Sequence, residues 1–207
     1  MRTLIAIPCH DMLHTEFART LLTLRLEGEV QYTFSQGSLV YDSRNLLANT
    51  AIEGGFDRVL WLDSDIVVPP EALRQLGADL AEGREFVSGL YFGRKSPFRP
   101  VAYKELLMQH LDGRDVPYVA SIDSWPVDRL FTVQGAGFGL AMVTTELLRR
   151  VRDNFGLPFS PILGFGEDLS FCLRARELGA EIWIDPRVQA GHIGLHTYTH
   201  ADWRPEK

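Results

Sequence analysis

Short apolar runs alternate with amphipathic segments over the first ninety residues, and this alternation limits the chain to few architectures. The apolar runs span residues 4–7, 30–34, 59–62 and 85–92. Between them, apolar residues recur at helical spacing over residues 17–26, 46–52 and 73–80. Strands that alternate with helices are typical of α/β domains with a mostly parallel sheet. We therefore predict an α/β fold in which helices flank a mostly parallel central sheet.

The second half of the chain is less regular. Strands are predicted at residues 129–133 and 181–184, and helices at residues 144–154 and 167–178. Residues 104–128 mix helical and loop signals and follow a basic loop that is broken by prolines. No repeat, low-complexity stretch or linker divides the chain, so we expect a single domain over residues 1–207.

Composition excludes several classes of protein. The chain has 27 acidic and 21 basic residues and a net charge of −6, which argues against a broad nucleic-acid-binding surface. Cys9 and Cys172 form no disulfide framework and are typical of a reducing compartment. No stretch approaches the roughly 20 apolar residues of a membrane span, and the apolar N-terminal run is too short for a signal peptide. We therefore expect a cytoplasmic protein without an integral membrane segment.

Two carboxylates follow the apolar run at residues 59–62. If the backbone stays extended, Asp63 and Asp65 face the same way at the carboxyl end of a central strand, where open α/β sheets bind ligands. Two close carboxylates repel, and one takes up a proton unless a cation lies between them. Mg²⁺ and Mn²⁺ are the hard cations that suit such oxygens. The alternative is a pair of exposed acids on a turn before a helix.

Three further segments carry candidate functional residues. Gly135, Gly137 and Gly139 alternate after a strand, which indicates either close approach of a ligand or a bulge; Leu140 breaks the dinucleotide-binding pattern. Asp168 begins a helix after a glycine-containing loop, where an acid can serve a ligand site or merely stabilise the helix.

Histidines His192, His196 and His200 recur every four residues and would form a zinc array on a helix. Gly191 and Gly194 argue against a helix at this position. His192 alone is compatible with either a metal ligand or a histidine that is bonded within a turn.

Four of these segments together resemble the motifs of nucleotide-sugar glycosyltransferases with the GT-A fold. In chain order, the D-x-D region, the glycine-rich acceptor-side loop, the x-E-D motif and the C-terminal histidine motif are matched by VLWLDSDIVVPPEAL, QGAGFG, GEDLSFCLRARELG and AGHIG. The stretch SRNLLANTAIEGGFDRVLWLDSDI also resembles glycosyltransferase family 2, in which an arginine–asparagine pair precedes the D-x-D strand. Each motif is short, but their common order over nearly the whole chain is specific.

The resemblance implies a role for each matched residue. It implies an Mn²⁺ or Mg²⁺ ion, with Asp63, Asp65 and His192 as ligands and His196 as the substitute for His192. It implies that Arg44, Asp63, Gly135, Gly137 and Glu167 contact a nucleotide-diphosphate sugar. Asp168 would be the general base that deprotonates an acceptor hydroxyl, with inversion at the sugar carbon. The acceptor, a glycan, a protein or another hydroxyl compound, is left open.

Two other functions remain as alternatives. A non-catalytic nucleotide- or glycan-binding module could keep the same fold and the same metal site. A sugar nucleotidyltransferase expects a glycine-rich basic loop after the first strand, whereas this chain has IPCHDMLH there. Trp125 is interpreted as an aromatic of a satellite core in preference to a platform for a sugar ring.

Overall fold

The computed structural model describes residues 1–37 and 39–194. The helices in this part of the chain are α1 Thr15–Thr23, α2 Val40–Glu53, α3 Ala72–Ala81, α4 Thr145–Phe155 and α5 Glu167–Glu177. The strands of the central sheet are β1 Arg2–Cys9, β2 Glu29–Gln36, β3 Arg58–Leu62, β5 Phe86–Leu90, β8 Phe131–Val133, β10 Leu140–Thr144 and β11 Ile182–Gln189. Two small sheets contain β4 Ile66–Val67, β6 Ala102–Leu111, β7 Arg114–Ser121, β9 Gly135–Ala136 and β12 Gly191–His192.

The central sheet has seven strands in the order β2-β1-β3-β10-β5-β11-β8. Strands β1, β2 and β3 are parallel, as are β5 and β11, whereas β10 and β8 run antiparallel to their neighbours. This is the predicted α/β architecture with a mostly parallel sheet.

Helices cover both faces of this sheet, and β3 shows why residues 59–62 are all apolar. Val59 and Trp61 point into one core, which packs against α2, α4 and α5. Leu60 and Leu62 point into the other core, which packs against α1 and α3. A central strand that is buried on both faces favours apolar side chains on each of them.

The structure differs from the sequence-based prediction at the start of α2 and in residues 104–128. Helix α2 begins at Val40 rather than after Asp42 or Ser43, and its N-cap residue Leu39 makes no side-chain capping bond. Residues 104–128, which lacked a clear signal, contain most of the hairpin of β6 and β7, in which Leu107 lies opposite Tyr118. The helix-forming residues of β6, among them Glu105 and Leu106, weaken any strand pattern, and pairing with β7 and β9 overrides that preference.

A short ladder brings the C-terminal part of the described chain to the carboxyl end of β3. Strand β12 pairs antiparallel with β4, so that His192 lies opposite Ile66. The amide of Ile193 donates a hydrogen bond of 2.7 Å to the carbonyl of Asp65. The ladder therefore fixes His192 beside the D-x-D segment. Among the described residues, no helix combines the length and the apolar character needed to cross a bilayer.

Candidate functional site

A cleft of about 430 Å³ lies beyond the carboxyl ends of β1 and β3. Its lining includes Asp63, Asp65 and Arg94, together with Cys9 at the end of β1 and His10 after it. Open α/β sheets bind ligands in this position because loops from several strands converge there.

The D-x-D segment forms a turn, so the expectation of an extended backbone is wrong. Strand β3 ends at Leu62, and the carbonyl of Asp63 accepts a 3.0 Å hydrogen bond from the amide of Ile66. The two carboxylates therefore have different partners within one cleft. Asp63 contacts a buried arginine, whereas Asp65 contacts His192 and Arg94.

That buried arginine is Arg44 on α2, and it lies at the centre of three carboxylates. Only 1% of Arg44 is exposed. Its Nη2 atom lies 3.0 Å from Asp63 Oδ1, and its Nε atom lies 3.4 Å from both Glu167 Oε1 and Asp168 Oδ1. The resemblance implied that Arg44 contacts the donor, but the guanidinium faces the acids in the structure. We name Arg44, Asp63, Glu167 and Asp168 the arginine centre.

The arginine centre changes the protonation of its acids. Burial raises the pKa of Asp63, although Arg44 opposes that effect. The pKa of Asp168 is raised to about 7. Burial is the largest cause and the charges of Glu167 and Asp63 act in the same direction, whereas Arg44 lowers the pKa. The pKa of Arg44 is raised because the three carboxylates outweigh the cost of burying its charge. Asp168 therefore titrates close to neutrality, which is the range in which a general base works best.

The N-terminus of α5 and the glycine-rich segment hold Asp168 in place. The amide of Phe138 donates a 3.2 Å hydrogen bond to Asp168 Oδ2. Oδ1 of Asp168 is buried and accepts no hydrogen bond within the described structure, although it lies next to Arg44 Nε. Nη1 of Arg44 is likewise buried without a hydrogen-bond partner among these residues. Buried polar atoms of this kind are satisfied by water or by a ligand.

Asp65 and His192 form the second part of the site. The Nδ1 atom of His192 lies 2.8 Å from the carbonyl oxygen of Phe92, which can only accept, so Nδ1 carries a proton. Nε2 is left facing Asp65 Oδ2 at 3.5 Å. The hydrogen bond to Asp65 raises the pKa of His192. Burial would raise the pKa of Asp65, but His192 and Arg94 outweigh it and lower that pKa.

These donors fit a hard divalent ion in type. A carboxylate oxygen and an imidazole nitrogen whose other nitrogen is bonded to a carbonyl make a common protein ligand set. However, residues 1–37 and 39–194 contain no cluster of three or more such side chains that is arranged around one point, because Asp63 is bound to Arg44. An ion at Asp65 and His192 needs further ligands from a substrate. His196 and His200 lie outside the described residues.

The glycine-rich segment has a structural explanation that differs from ligand contact. A Cβ atom on Gly137 would lie 2.1 Å from the hydroxyl of Tyr91, and one on Gly135 would lie 2.7 Å from Leu106. Protein side chains therefore occupy the space that was expected to admit a ligand at Gly135 and Gly137. The amide of Gly139 donates a 3.0 Å hydrogen bond to the same Tyr91 hydroxyl.

Sequence reasoning missed Tyr91 and gave Arg94 no specific role. Tyr91 is 4% exposed, and its ring lies 5.8 Å from the His192 ring. It therefore connects the glycine-rich segment to Asp65 and His192, which we name the metal-type pair. Tyr91 lies within the predicted strand at residues 85–92, where an aromatic residue is typical of a buried core. Trp125 is partly buried and packs against the core and against Phe92, in agreement with the satellite-core interpretation.

Comparison with solved structures identifies the fold. A crystal structure of A197 from STIV matches with a TM-score of 0.65 at 19% identity, over 93% of this chain and 86% of that one. A structure of GalNAc-T7 with UDP, GalNAc and Mn²⁺ matches with a TM-score of 0.62 at 12% identity, and S. aureus TarS 1-349 matches with a TM-score of 0.58 at 16% identity. The chain has a GT-A-like fold.

Both of the latter matches cover 93% of this chain, which spans 44% of the GalNAc-T7 chain and 60% of the TarS chain. The chain therefore corresponds to only part of those two proteins. No protein-family model matches the sequence, and no curated protein matches it either. The GT-A-like fold, with glycosyltransferases as its structural neighbours, is therefore the level at which the resemblance noted in the sequence is confirmed.

Proposed function

We propose that this protein is a metal-dependent glycosyltransferase that moves a sugar from a nucleotide-diphosphate donor to an acceptor hydroxyl. One observation carries the proposal: the cleft is lined by both Asp63 and Asp65, and each of them leads to a different functional group. Asp65 faces His192 and forms the metal-type pair with it. Asp63 is linked through Arg44 to Asp168, whose pKa is raised to about 7. The solved structure of GalNAc-T7, which has the same fold, contains UDP, GalNAc and Mn²⁺.

In this proposal, Asp65 Oδ2 and His192 Nε2 would hold an Mn²⁺ or Mg²⁺ ion. When bound, such an ion would stabilise the charge that grows on the departing nucleoside diphosphate. Phe92 keeps the proton of His192 on Nδ1, which leaves the lone pair of Nε2 free to bind an ion. Arg94, 2.8 Å from Asp65, must move aside or share the carboxylate with the ion.

Asp168 acts as the general base. An acceptor hydroxyl oxygen attacks the anomeric carbon and forms the new glycosidic bond. The bond from that carbon to the diphosphate oxygen breaks, its electron pair leaves with the nucleoside diphosphate, and the hydroxyl proton passes to Asp168. A base on the face opposite the leaving group gives inversion of configuration.

Arg44 fixes the position of Asp168 relative to the D-x-D segment. Its guanidinium contacts Asp63 after β3 and Glu167 and Asp168 at the start of α5. Because Arg44 is almost fully buried, its part is to position these acids, and direct contact with the donor is left to other residues.

The contacts of Asp168 also favour a second candidate, a binding module without turnover. One of its oxygens accepts from Phe138, and the other lies next to Arg44, which is an arrangement that can simply stabilise the start of α5. Such a module would bind a nucleotide diphosphate with Mn²⁺ and catalyse nothing.

Two measurements separate these candidates. Calorimetry with UDP, GDP and their sugars, with and without Mn²⁺, tests for donor binding that requires the ion. Hydrolysis of the donors that bind is then measured for the wild type and for Asp168→Asn. We expect retained binding and a loss of rate of about 10²- to 10⁴-fold, the typical contribution of a positioned base.

Because the folded pKa of Asp168 is about 7, the rate should rise as the pH rises through that value and then level off. Metal-dependent binding without turnover of any donor would favour the module. Absence of metal-dependent binding would reject both candidates.

A further inference from the structure

A second cleft, which we name the basic cleft, opens beside the proposed metal pair. It has a volume of about 380 Å³ and lies between the loop at residues 93–101 and strands β6 and β7. Its polar lining consists of Arg94, Lys95, Arg99, Tyr103, Ser121 and His192. No carboxylate lines it, although the chain as a whole carries a net charge of −6. Its sign is therefore opposite to that of the protein.

Two of these cations are not neutralised by neighbouring acids. Arg94 is paired with Asp65, but Lys95 and Arg99 form no ion pair within residues 1–37 and 39–194. The carboxylate whose pKa responds to Arg99 is that of Asp123, and Lys104, its direct partner, has the larger effect. A lysine and an arginine that are left exposed on the wall of a cleft attract an anion.

The basic cleft touches both halves of the proposed active site. Arg94 lines it and also lines the cleft of about 430 Å³ that contains Asp63 and Asp65. His192, the proposed ion ligand, lines the basic cleft as well. On the opposite side, Tyr103 pairs with Gly135 across β6 and β9. Gly135 in turn lies against the side chain of the residue that follows Asp168. The basic cleft therefore borders His192 on one side and approaches the start of α5, which carries Asp168, on the other.

We propose that the acceptor carries a phosphate group, which binds Lys95 and Arg99 in the basic cleft while the acceptor hydroxyl faces Asp168. This inference rests on the proposed glycosyltransferase function. An arginine fork and a lysine ammonium form charge-assisted hydrogen bonds with phosphate oxygens, and Tyr103 and Ser121 bring hydroxyl groups to the same wall. Lys95 and Arg99 do not line the cleft that contains Asp63 and Asp65, so this proposal assigns them to the acceptor rather than to the donor diphosphate.

Binding of inorganic phosphate to the full chain, without donor or metal, tests the anion site directly. The double variant Lys95→Gln/Arg99→Gln is compared with Arg19→Gln/Arg129→Gln, which removes the same charge from two exposed arginines that do not line the basic cleft. We expect the first pair to weaken phosphate binding at least about tenfold, because it removes two charge-assisted contacts. The control pair should change it less than about twofold, as for screened surface charges. Equal effects of the two variants would overturn the proposal.

Acceptor use distinguishes the source of the phosphate. Glycerol 3-phosphate and glucose 6-phosphate are compared with glycerol and glucose as acceptors, and vesicles of phosphatidylglycerol are compared with vesicles of phosphatidylcholine. A phosphorylated form that is preferred by wild type, with the preference lost in Lys95→Gln/Arg99→Gln, supports the proposal and names the source. Equal use of neutral and phosphorylated acceptors contradicts it.

The nucleotide provides the remaining control. If the Lys95→Gln/Arg99→Gln change weakens Mn²⁺-dependent binding of UDP or GDP as strongly as it weakens phosphate binding, these cations serve the donor, and the acceptor assignment is wrong. If no nucleotide binds but phosphate binding depends on Lys95 and Arg99, the glycosyltransferase proposal fails and the anion site remains.

Discussion

Arg44, which is almost fully buried, forms an ion pair with the partly buried Asp63, with Arg44 Nη2 at 3.0 and 3.1 Å from the two oxygens of the carboxylate. Glu167 and Asp168 approach the same guanidinium from α5. The pair thus ties the end of β3 to the start of α5, which are the two segments that carry the predicted donor-side acid and the predicted base.

Removal of Arg44 should therefore destabilise the protein strongly. Arg44→Met leaves three partly buried carboxylates without their cation, and we expect the free energy of unfolding to fall by about 3 kcal/mol. Urea denaturation measures the change. The matched control is Arg74→Met, which breaks an exposed pair with Glu71 and should cost less than about 1 kcal/mol. Equal losses for the two variants would contradict a central role of Arg44.

His192 should control ion binding without a matching effect on the fold. His192→Ala removes the nitrogen that faces Asp65, so we expect Mn²⁺-dependent nucleotide affinity to fall at least about tenfold, in line with other metal sites. Titration of Mn²⁺ in the presence of nucleotide, followed by electron paramagnetic resonance, reports the affinity. His14→Ala, which changes an exposed histidine before α1, is the control. Unchanged ion affinity in His192→Ala would remove this residue from the ligand set.

The free energy of unfolding should fall as the pH rises toward neutrality because of a buried pair of acids, Asp79 in α3 and Asp185 in β11. Asp79 and Asp185 are 4% and 0% exposed, and Arg187 contacts both, with Nη2 at 3.1 Å from Asp79 and Nε at 2.7 Å from Asp185. The pKa of Asp79 is raised to about 7. Burial is the largest cause, a hydrogen bond with Asp185 and the charge of that residue act in the same direction, and Arg187 opposes the rise. The folded protein thus holds a proton on Asp79 that the unfolded chain releases near its usual pKa of 3.8.

The stabilisation from this proton is complete below the usual pKa of an aspartate and is lost as the pH rises through about 7. We expect the free energy of unfolding to fall by on the order of 2 kcal/mol between about pH 5 and about pH 8. Asp79→Asn mimics the protonated acid and should reduce this dependence, leaving the part that comes from Asp168, whose pKa is also raised to about 7. The exposed Asp153→Asn should leave the dependence intact. A pH profile that Asp79→Asn does not change would show that another group is responsible.

The glycine-rich segment offers a test of packing against ligand contact. Gly137→Ala forces a methyl group against the Tyr91 hydroxyl and should destabilise the protein by about 1–3 kcal/mol, the usual cost of overpacking. Gly166→Ala, where no atom lies within 4 Å of the added carbon, should cost less than about 1 kcal/mol. Thermal unfolding compares the two. Normal stability of Gly137→Ala combined with weaker nucleotide binding would restore the ligand interpretation.

The sequence predicted the framework of the fold well because short-range patterns encode it. The buried strand β3 is apolar from Val59 to Leu62, and the helices around it have clear periodicity, so their existence followed from local signals. The β6–β7 hairpin escaped detection because its pairing partners, rather than its own composition, make it a strand.

The site was only partly predictable. The four motifs gave the residues of the site, but not which of them touch. Arg44 and Glu167 are 123 positions apart, and no local pattern indicates that a helix arginine will be buried between three acids. The sequence also left the turn at Asp63 open, since the D-x-D triplet is compatible with an extended continuation of β3 as well as with a turn.

The arginine centre has a consequence for how the protein becomes competent. Its members come from α2, from the loop after β3 and from α5, so a chain that is still emerging from the ribosome has the arginine and one acid long before the other two exist. A ribosome-bound nascent chain that ends before α5 would leave Asp63 as the sole counterion of Arg44. The charge of Arg44 is thus fully balanced only late in synthesis, when α5 brings Glu167 and Asp168 to the guanidinium.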